Sequence, residues 1–474
     1  MRAERRGSLF LAAVLLLPGC GASFVDTLAA EDSAASPAPP GETPAPGGCG
    51  ERAEPDPDRP VVELDFRLED DLRTVGGTER VVFTPDRPTD ELVFRLVPND
   101  PGAAATGNRL DVTDARGDRV AGSGYEDAGA EGPGGLYVVR LDGELAAGES
   151  TEVELDFTLA LGRGGFERVG AAEGASWWAS GAPLLAWEPG VGWARDPFVG
   201  ILGETAASPV ADTRIRVSAP EELTVLMTGD QDEPSAVRDG RRTWTSTEPV
   251  ARDVSVAVGR FATATATTDD GIEVTTGVLP GADVPAERLA DWAVTAIGDL
   301  EERFGPFPYR TLTVPLLPDS GGGIEYPSSI LLAGADELVL LHEVAHMWFY
   351  GMVGDSQFRD PWLDEAFASY AESVAFPARD GALALPGDVG SAMDEFPDTD
   401  AYFARVYGKG GAALRAAREA AGADAFDAAL RCYVDANAWT IATPEDVARA
   451  LADLPAALDV LLDAGALHED DLPR

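Results

Sequence analysis

The chain has 474 residues, with 82 Asp and Glu against 36 Lys and Arg, for a formal charge of −46. That imbalance argues against a nucleic-acid partner, because phosphate binding needs a basic footprint, and a hydrophobic content of 45% excludes disorder for the bulk of the chain. Three cysteines cannot build a disulfide scaffold, and three histidines restrict imidazole chemistry to very few positions.

In chain order, Arg2, Arg5 and Arg6 precede an apolar run over residues 9–17, followed by Pro18-Gly19-Cys20. A bilayer span needs about 20 apolar residues, so residues 1–20 read as a secretory signal. Its end resembles a bacterial lipoprotein lipobox, with Pro18 where Ala or Ser is commoner. The resemblance implies that Cys20 becomes the lipidated first residue of the mature chain, an anchor holding it to the membrane outside the cytoplasm. Residues 21–59 are rich in Pro, Ala, Gly and Ser and read as a disordered tether, with a reach of roughly 100 Å at about 3.1 Å per residue. Two cysteines remain. Cys49 and Cys432 either pair, as an extracytoplasmic location allows, or stay as an exposed and a buried thiol.

From Val61 the pattern is β. Val62, Leu64, Phe66 and Leu68 alternate with Glu63, Asp65 and Arg67, and Val153, Leu155, Phe157 and Leu159 alternate with Glu154, Asp156 and Thr158. Further strands are expected at residues 92–96, 215–217 and 254–258. Residues 60–267 therefore read as one mostly antiparallel β domain. A helix opens at Pro285 and carries Leu289, Trp292, Ala293, Ala296, Ile297 and Leu300 until Gly305-Pro306 stops it. A strand at 312–317 leads into Gly321-Gly322-Gly323, and helical signals dominate from Leu338, so residues 268–474 read as an α-rich domain. The whole is α+β and multidomain.

His342-Glu343-Val344-Ala345-His346 is an HExxH motif in an apolar run, residues 338–350, read as helical. Histidines four apart share one helical face, so their imidazoles can converge on one zinc ion, with Glu343 beside a metal-bound water. A catalytic zinc needs a third protein ligand. Asp360-Pro361 reads as an N-cap with proline at the first helical position, and the helix it opens brings two acids, Asp364 and Glu365, back towards the histidines. Glu365 follows His346 after 18 intervening residues.

Together these segments resemble the aminopeptidase N family of gluzincin metallopeptidases, whose pattern is HExxH followed by Trp-Leu-Asn-Glu-Gly-Phe-Ala. Here that second segment is Trp362-Leu363-Asp364-Glu365-Ala366-Phe367-Ala368. Gly322-Gly323-Ile324-Glu325-Tyr326-Pro327 is similar to the family's exopeptidase motif, and Val406-Tyr407-Gly408-Lys409-Gly410 to its Tyr-x-Lys-Gly segment. Lys409 is the only lysine in the chain. The resemblance implies a saddle-like antiparallel β domain followed by a thermolysin-like zinc peptidase domain. It makes His342, His346 and Glu365 the zinc ligands, in preference to Asp364. It makes Glu343 the general base that takes a proton from zinc-bound water, Tyr407 a donor to the oxyanion, and Glu325 the carboxylate that binds a substrate's free α-ammonium.

Ser369 is expected to support a ligand by a hydrogen bond, Trp348 and Phe349 to lie in the core, and His468 to face solvent. Met347, Asp364 and Ala366 depart from the family's usual residues without removing a ligand. The usual Asp-Glu-Pro segment is replaced by residues 185–193, Leu-Ala-Trp-Glu-Pro-Gly-Val-Gly-Trp, similar to a divergent bacterial branch. No residue is assigned as the second acid beside Glu325. The reading is thus of a short, lipid-anchored zinc aminopeptidase acting on peptides with a free N-terminus. Its alternatives are a zinc endopeptidase with the same site and a non-catalytic envelope module.

Overall fold

Alternation of apolar and charged residues makes a strand with one face for the core and one for water. Val61–Leu68 does so, burying Leu64, Phe66 and Leu68. The computed structural model describes residues 49–130, 132–164, 168–201, 203, 207–318, 322–376 and 382–473. The signal sequence, Cys20 and most of the tether lie outside the described residues.

Val61–Leu68 is central in a seven-stranded sheet, ordered Asp230–Gln231, Arg241–Ala251, Ala211–Pro220, Val61–Leu68, Thr74–Phe83, Thr151–Ala160, Arg109–Arg116. All its pairings are antiparallel save one, Val61–Leu68 with Ala211–Pro220, where Leu64 faces Ile215. Two four-stranded sheets and a two-stranded hairpin complete the β-rich lobe, and Phe66, Phe157, Trp178 and Trp244 help fill its core.

A further five-stranded sheet carries the helical lobe, in the order Ala262–Thr267, Glu273–Val278, Thr311–Leu316, Ser329–Leu332, Gly323–Tyr326. The first of these strands pairs with the second as a hairpin, so the change of sheet falls between Gly259 and Ala262. Helix Ala286–Phe304 buries Leu289, Ala293, Ala296, Ile297, Leu300 and Phe304. Gly305, at φ 90°, turns the chain out of the helix in a conformation open to glycine. Trp348 and Phe349 are fully buried, the former donating its indole N–H to Gly305 O at 3.1 Å.

Of the two states open to the remaining cysteines, pairing is realised: Cys49 and Cys432 form a disulfide with Cα atoms 4.9 Å apart. Beside it Ala53 N donates to Asp435 O at 2.8 Å, and Arg52 Nε meets Asp435 Oδ1 at 3.0 Å. Residues 49–53, counted from composition with the tether, therefore lie against the helical lobe, while Arg59 Nε donates to Pro249 O of the β-rich lobe at 2.8 Å. Among the described residues no helix is long and apolar enough to cross a membrane.

Candidate active site

The helix that carries the two histidines is Glu337–Ala345. Asp336 caps it, its carboxylate accepting from Leu338 N and Val339 N. Leu340, Leu341, Val344 and Ala345 seat it in the core. Its extent corrects the sequence expectation of helix through Tyr350. Beyond His346 the bonding widens by one residue, with Gly351 N to His346 O, Met352 N to Met347 O and Val353 N to Trp348 O. Tyr350 then takes φ 96°, a conformation in which the helix cannot resume. The apolar pattern that suggested helix instead reflects burial of Met347, Trp348, Phe349 and Met352.

The second helix, Trp362–Ala371, is buried along its whole length and carries Asp364 and Glu365 in its first turn, where the helix dipole favours negative charge. Its two acids divide their work. Glu365 Oε2 lies 3.2 Å from His342 Nε2 and 3.4 Å from His346 Nε2. Asp364 bonds the other face of the second imidazole, at His346 Nδ1. Glu372, two turns further on, does the same for the first, its Oε1 3.1 Å from His342 Nδ1. Each imidazole thus has an outer carboxylate that fixes its orientation and leaves Nε2 facing inward.

Tyr407 reaches the site from a π-helical segment, Phe403–Gly410, a conformation often found at functional positions. Its ring stacks on His342 with centroids 5.8 Å apart and planes within 7°. Its hydroxyl donates to Glu365 Oε1. Two small residues allow this approach: a Cβ on Gly410 would stand 2.6 Å from Ala366 Cβ, and one on Gly411 would stand 2.9 Å from Ser369 Cβ. Lys409 is buried and donates to Gly387 O at 2.7 Å, pinning the segment from its far side.

Glu325 sits on the edge strand Gly323–Tyr326 and is buried. One of its oxygens, His346 and Asp364 offer donor atoms all within 4.8 Å of one another. Glu343 feels the charges of Glu325, His342 and His346. Gly323 makes room for it, since a Cβ there would fall 2.4 Å from Glu343 Cγ.

Five carboxylates (Glu325, Glu343, Asp364, Glu365, Glu372) thus surround two imidazoles, and four of the five are buried. Burial pushes the Glu343 carboxyl well above its ordinary value, Glu325 and Glu365 adding to this and the imidazoles opposing it. Burial acts the same way on Glu365, but the two imidazoles outweigh it and hold that carboxyl well below the usual range. For His342 burial disfavours charge, yet the bonds to Glu365 and Glu372 raise it to about 10. A site this acidic and this dry calls for a cation. His346 Nε2 and single oxygens of Glu325, Glu343 and Asp364 lack hydrogen-bond partners. His342, His346 and Glu365 place three donor atoms within 4.8 Å of one another, a nitrogen-nitrogen-oxygen set suited to zinc. The residues present fit that metal.

The structure brings His342, His346, Glu343, Glu365, Tyr407 and Glu325 into one cluster. Ser369 packs against Gly411, and the support expected of it comes from Glu372 and Asp364. Glu372 was legible only as an acid seven residues after Glu365, two helical turns along the same face. His468 is exposed, its backbone N–H bonding Asp471. The segment at 185–193 folds as a small hairpin, Trp187–Glu188 against Gly192–Trp193, and its buried Glu188 pairs with Arg359 of the helical lobe.

No family model matches the chain. Among curated proteins it is similar to Aminopeptidase M1-A of Oryza sativa subsp. japonica, 26% identical over 236 residues that cover 42% of this chain and 27% of the relative. It is also similar to Endoplasmic reticulum aminopeptidase 1 of Homo sapiens, 25% identical over 239 residues, covering 42% of this chain and 25% of the relative. The match thus spans about a quarter of the length of these relatives. Among solved structures, the M1 zinc metallopeptidase from Deinococcus radiodurans aligns with a TM-score of 0.63 at 21% identity, covering 88% of this chain and 95% of that one. A mutant of that protein bound to a Tyr-Ser-Ala substrate aligns with the same score and identity, covering 86% and 94%. The structural likeness is one of fold: a β-rich N-terminal domain followed by a helical region. The chain resembles M1 aminopeptidases in sequence and M1 zinc metallopeptidases in fold.

Proposed function

We propose that this protein is a zinc aminopeptidase that removes N-terminal residues from peptides. The observation that carries the proposal is the convergence of His342, His346 and Glu365 beside two further buried acids, Glu343 and Glu325. The first three match a metal site with an open position, and the last two match a proton carrier and an ammonium receptor. Support also comes from the aminopeptidase relatives and from the neighbour crystallised with a tripeptide.

Zinc held by His342, His346 and Glu365 would supply Lewis acidity, polarising the scissile carbonyl and lowering the pKa of water to about 7. The chain's own residues do the rest. Asp364 and Glu372 orient the imidazoles through their outer nitrogens. Glu343 takes a proton from the attacking water and returns it to the leaving amine, a task suited to a carboxyl whose burial raises its proton affinity. Tyr407 transfers its hydroxyl bond from Glu365 to the developing oxyanion. Glu325 accepts the α-ammonium, so that cleavage falls after the first residue.

In this reading the β-rich lobe is the family's saddle-like domain, and the helical lobe its thermolysin-like catalytic domain. The body stands outside the cytoplasm on a lipid at Cys20. The signal-like N-terminus supports this location, as does the Cys49–Cys432 disulfide, a bond that persists in oxidising compartments. Loss of the protein from the membrane fraction on Cys20→Ser tests the anchor. The catalytic reading is tested by Glu343→Gln, which should keep one zinc per chain and lose hydrolysis of aminoacyl amides. Retained turnover would refute it. Cleavage of N-acetylated peptides as fast as free ones would refute the role of Glu325 and favour an endopeptidase.

A further inference from the structure

At the seam between the lobes lies a cavity of about 290 Å³ that the proposed mechanism does not use. Small-ligand pockets run from roughly 300 to 1,000 Å³, so this one suits a single amino-acid side chain. Its apolar walls come from Val97, Val169, Leu184, Phe198 and Ile201. Five ionisable side chains line it: Asp100, Arg168, Arg252, Asp253 and Asp355, with the Tyr350 phenol beside them.

Four of the five are engaged. Asp100 caps a short helix by accepting from Gly102 N and Ala103 N. Arg168 donates to the Tyr326 hydroxyl at 2.9 Å. Arg252 donates to the main-chain carbonyls of Ser208, Tyr350, Met352 and Thr440. Asp253 accepts from Ser180 Oγ and from Val254 N. Asp355 differs: it is only 4% exposed, and neither carboxylate oxygen has a hydrogen-bond partner. Leaving such a group unmet is costly. Burial pushes its carboxyl well above the ordinary value, Asp364 and Asp360 adding to this and Arg252 opposing it.

One hydrogen bond and the charges of its walls link the cavity to the candidate active site. Arg168 and Tyr350, two of its walls, feel the charge of Glu325, and Asp355 feels that of Asp364 and Glu365. Arg168 holds the hydroxyl of Tyr326, the residue after Glu325 on the edge strand.

We propose that this cavity receives the side chain of the substrate's first residue and that Asp355 selects a cationic one, arginine or lysine. The inference rests on the aminopeptidase reading above. An aliphatic stem would lie along the apolar walls while its charged end meets the unpaired carboxylate. A neutral side chain of the same length would fill the space and leave Asp355 unmet. Selection therefore follows from a difference in satisfaction rather than in size.

The test compares release from arginyl, lysyl, norleucyl and alanyl aminocoumarins by the full-length protein. Arginyl and lysyl substrates are expected to exceed norleucyl by at least tenfold in kcat/KM, and Asp355→Asn is expected to lower the arginyl-to-norleucyl ratio at least tenfold. A wild-type ratio near one, or a ratio unchanged in the variant, overturns the proposal. Should the variant fail to fold, the wild-type ratio decides. Failure on every substrate, alanyl included, would instead overturn the aminopeptidase reading. In that case argininamide and norleucinamide are compared by thermal shift on the wild type. Stabilisation by argininamide alone upholds the cavity's preference, and equal or absent stabilisation overturns it.

Discussion

Gly323→Ala places one methyl group against the proposed base. The new Cβ would lie 2.4 Å from Glu343 Cγ, 2.6 Å from Cδ and 2.7 Å from Oε1, where ordinary contact begins at 3.4 Å. One of the two must give way by about 1 Å, a contact distance set by ordinary van der Waals packing. Gly323 is held in a strand paired with Ser329–Leu332, so the flexible carboxylate moves. A misplacement of about 1 Å costs on the order of 100-fold in rate, or about 2.7 kcal/mol of barrier. Overpacking adds about 1–3 kcal/mol of destabilisation. The three atoms nearest the new methyl all belong to Glu343 and none to the proposed zinc ligands, so zinc content should stay at one per chain. The assay is kcat on an alanyl aminocoumarin, alongside zinc stoichiometry and thermal midpoint. A kcat within about twofold of wild type, with zinc retained, would show that Glu343 does not need the position seen here and would refute the argument.

Three further outcomes are expected. Tyr407→Phe should lower kcat about 10²–10³-fold with zinc retained, because the ring still stacks on His342 and only the hydroxyl is lost; competition with a chelator separates this from metal loss. Glu372→Ala should weaken zinc about 10–100-fold by freeing the outer nitrogen of His342, measured by zinc-buffer titration. Glu79→Gln should stabilise the fold as pH rises. Burial, with Asp253 adding, raises the Glu79 carboxyl well above its ordinary value. Both states are protonated in acid, but above about pH 4.3 the unfolded chain ionises while the native one resists, so the wild type loses stability with rising pH. The gap between variant and wild type in denaturant midpoints should therefore open from mildly acidic pH upward, and a gap that closes with rising pH would contradict it.

Local pattern alone determined much of this protein. The alternation at Val61–Leu68 and Thr151–Ala160 made strands whatever their partners, since only one face of each could be buried. The four-residue spacing of His342 and His346 placed both imidazoles on one helical face. Glu365 was separated from Asp364 by family resemblance and not by spacing, because neighbouring residues on one helix reach similar distances. Only packing assigned them to opposite faces of the imidazoles, Glu365 to the two Nε2 atoms and Asp364 to His346 Nδ1.

Other features needed the tertiary structure for equally physical reasons. The end of the histidine helix at Ala345 was hidden because Met347, Trp348 and Phe349 are buried in a turn as thoroughly as in a helix, and burial is all that an apolar pattern reports. Pairing of Cys49 with Cys432 spans 383 residues, a distance over which sequence carries no geometry. The unpaired state of Asp355 is likewise a property of its surroundings, since a carboxylate in sequence does not announce whether a donor will stand beside it. The chain's residues thus determined which groups the site contains, and the packing of the two lobes decided which of them are left unsatisfied and able to bind.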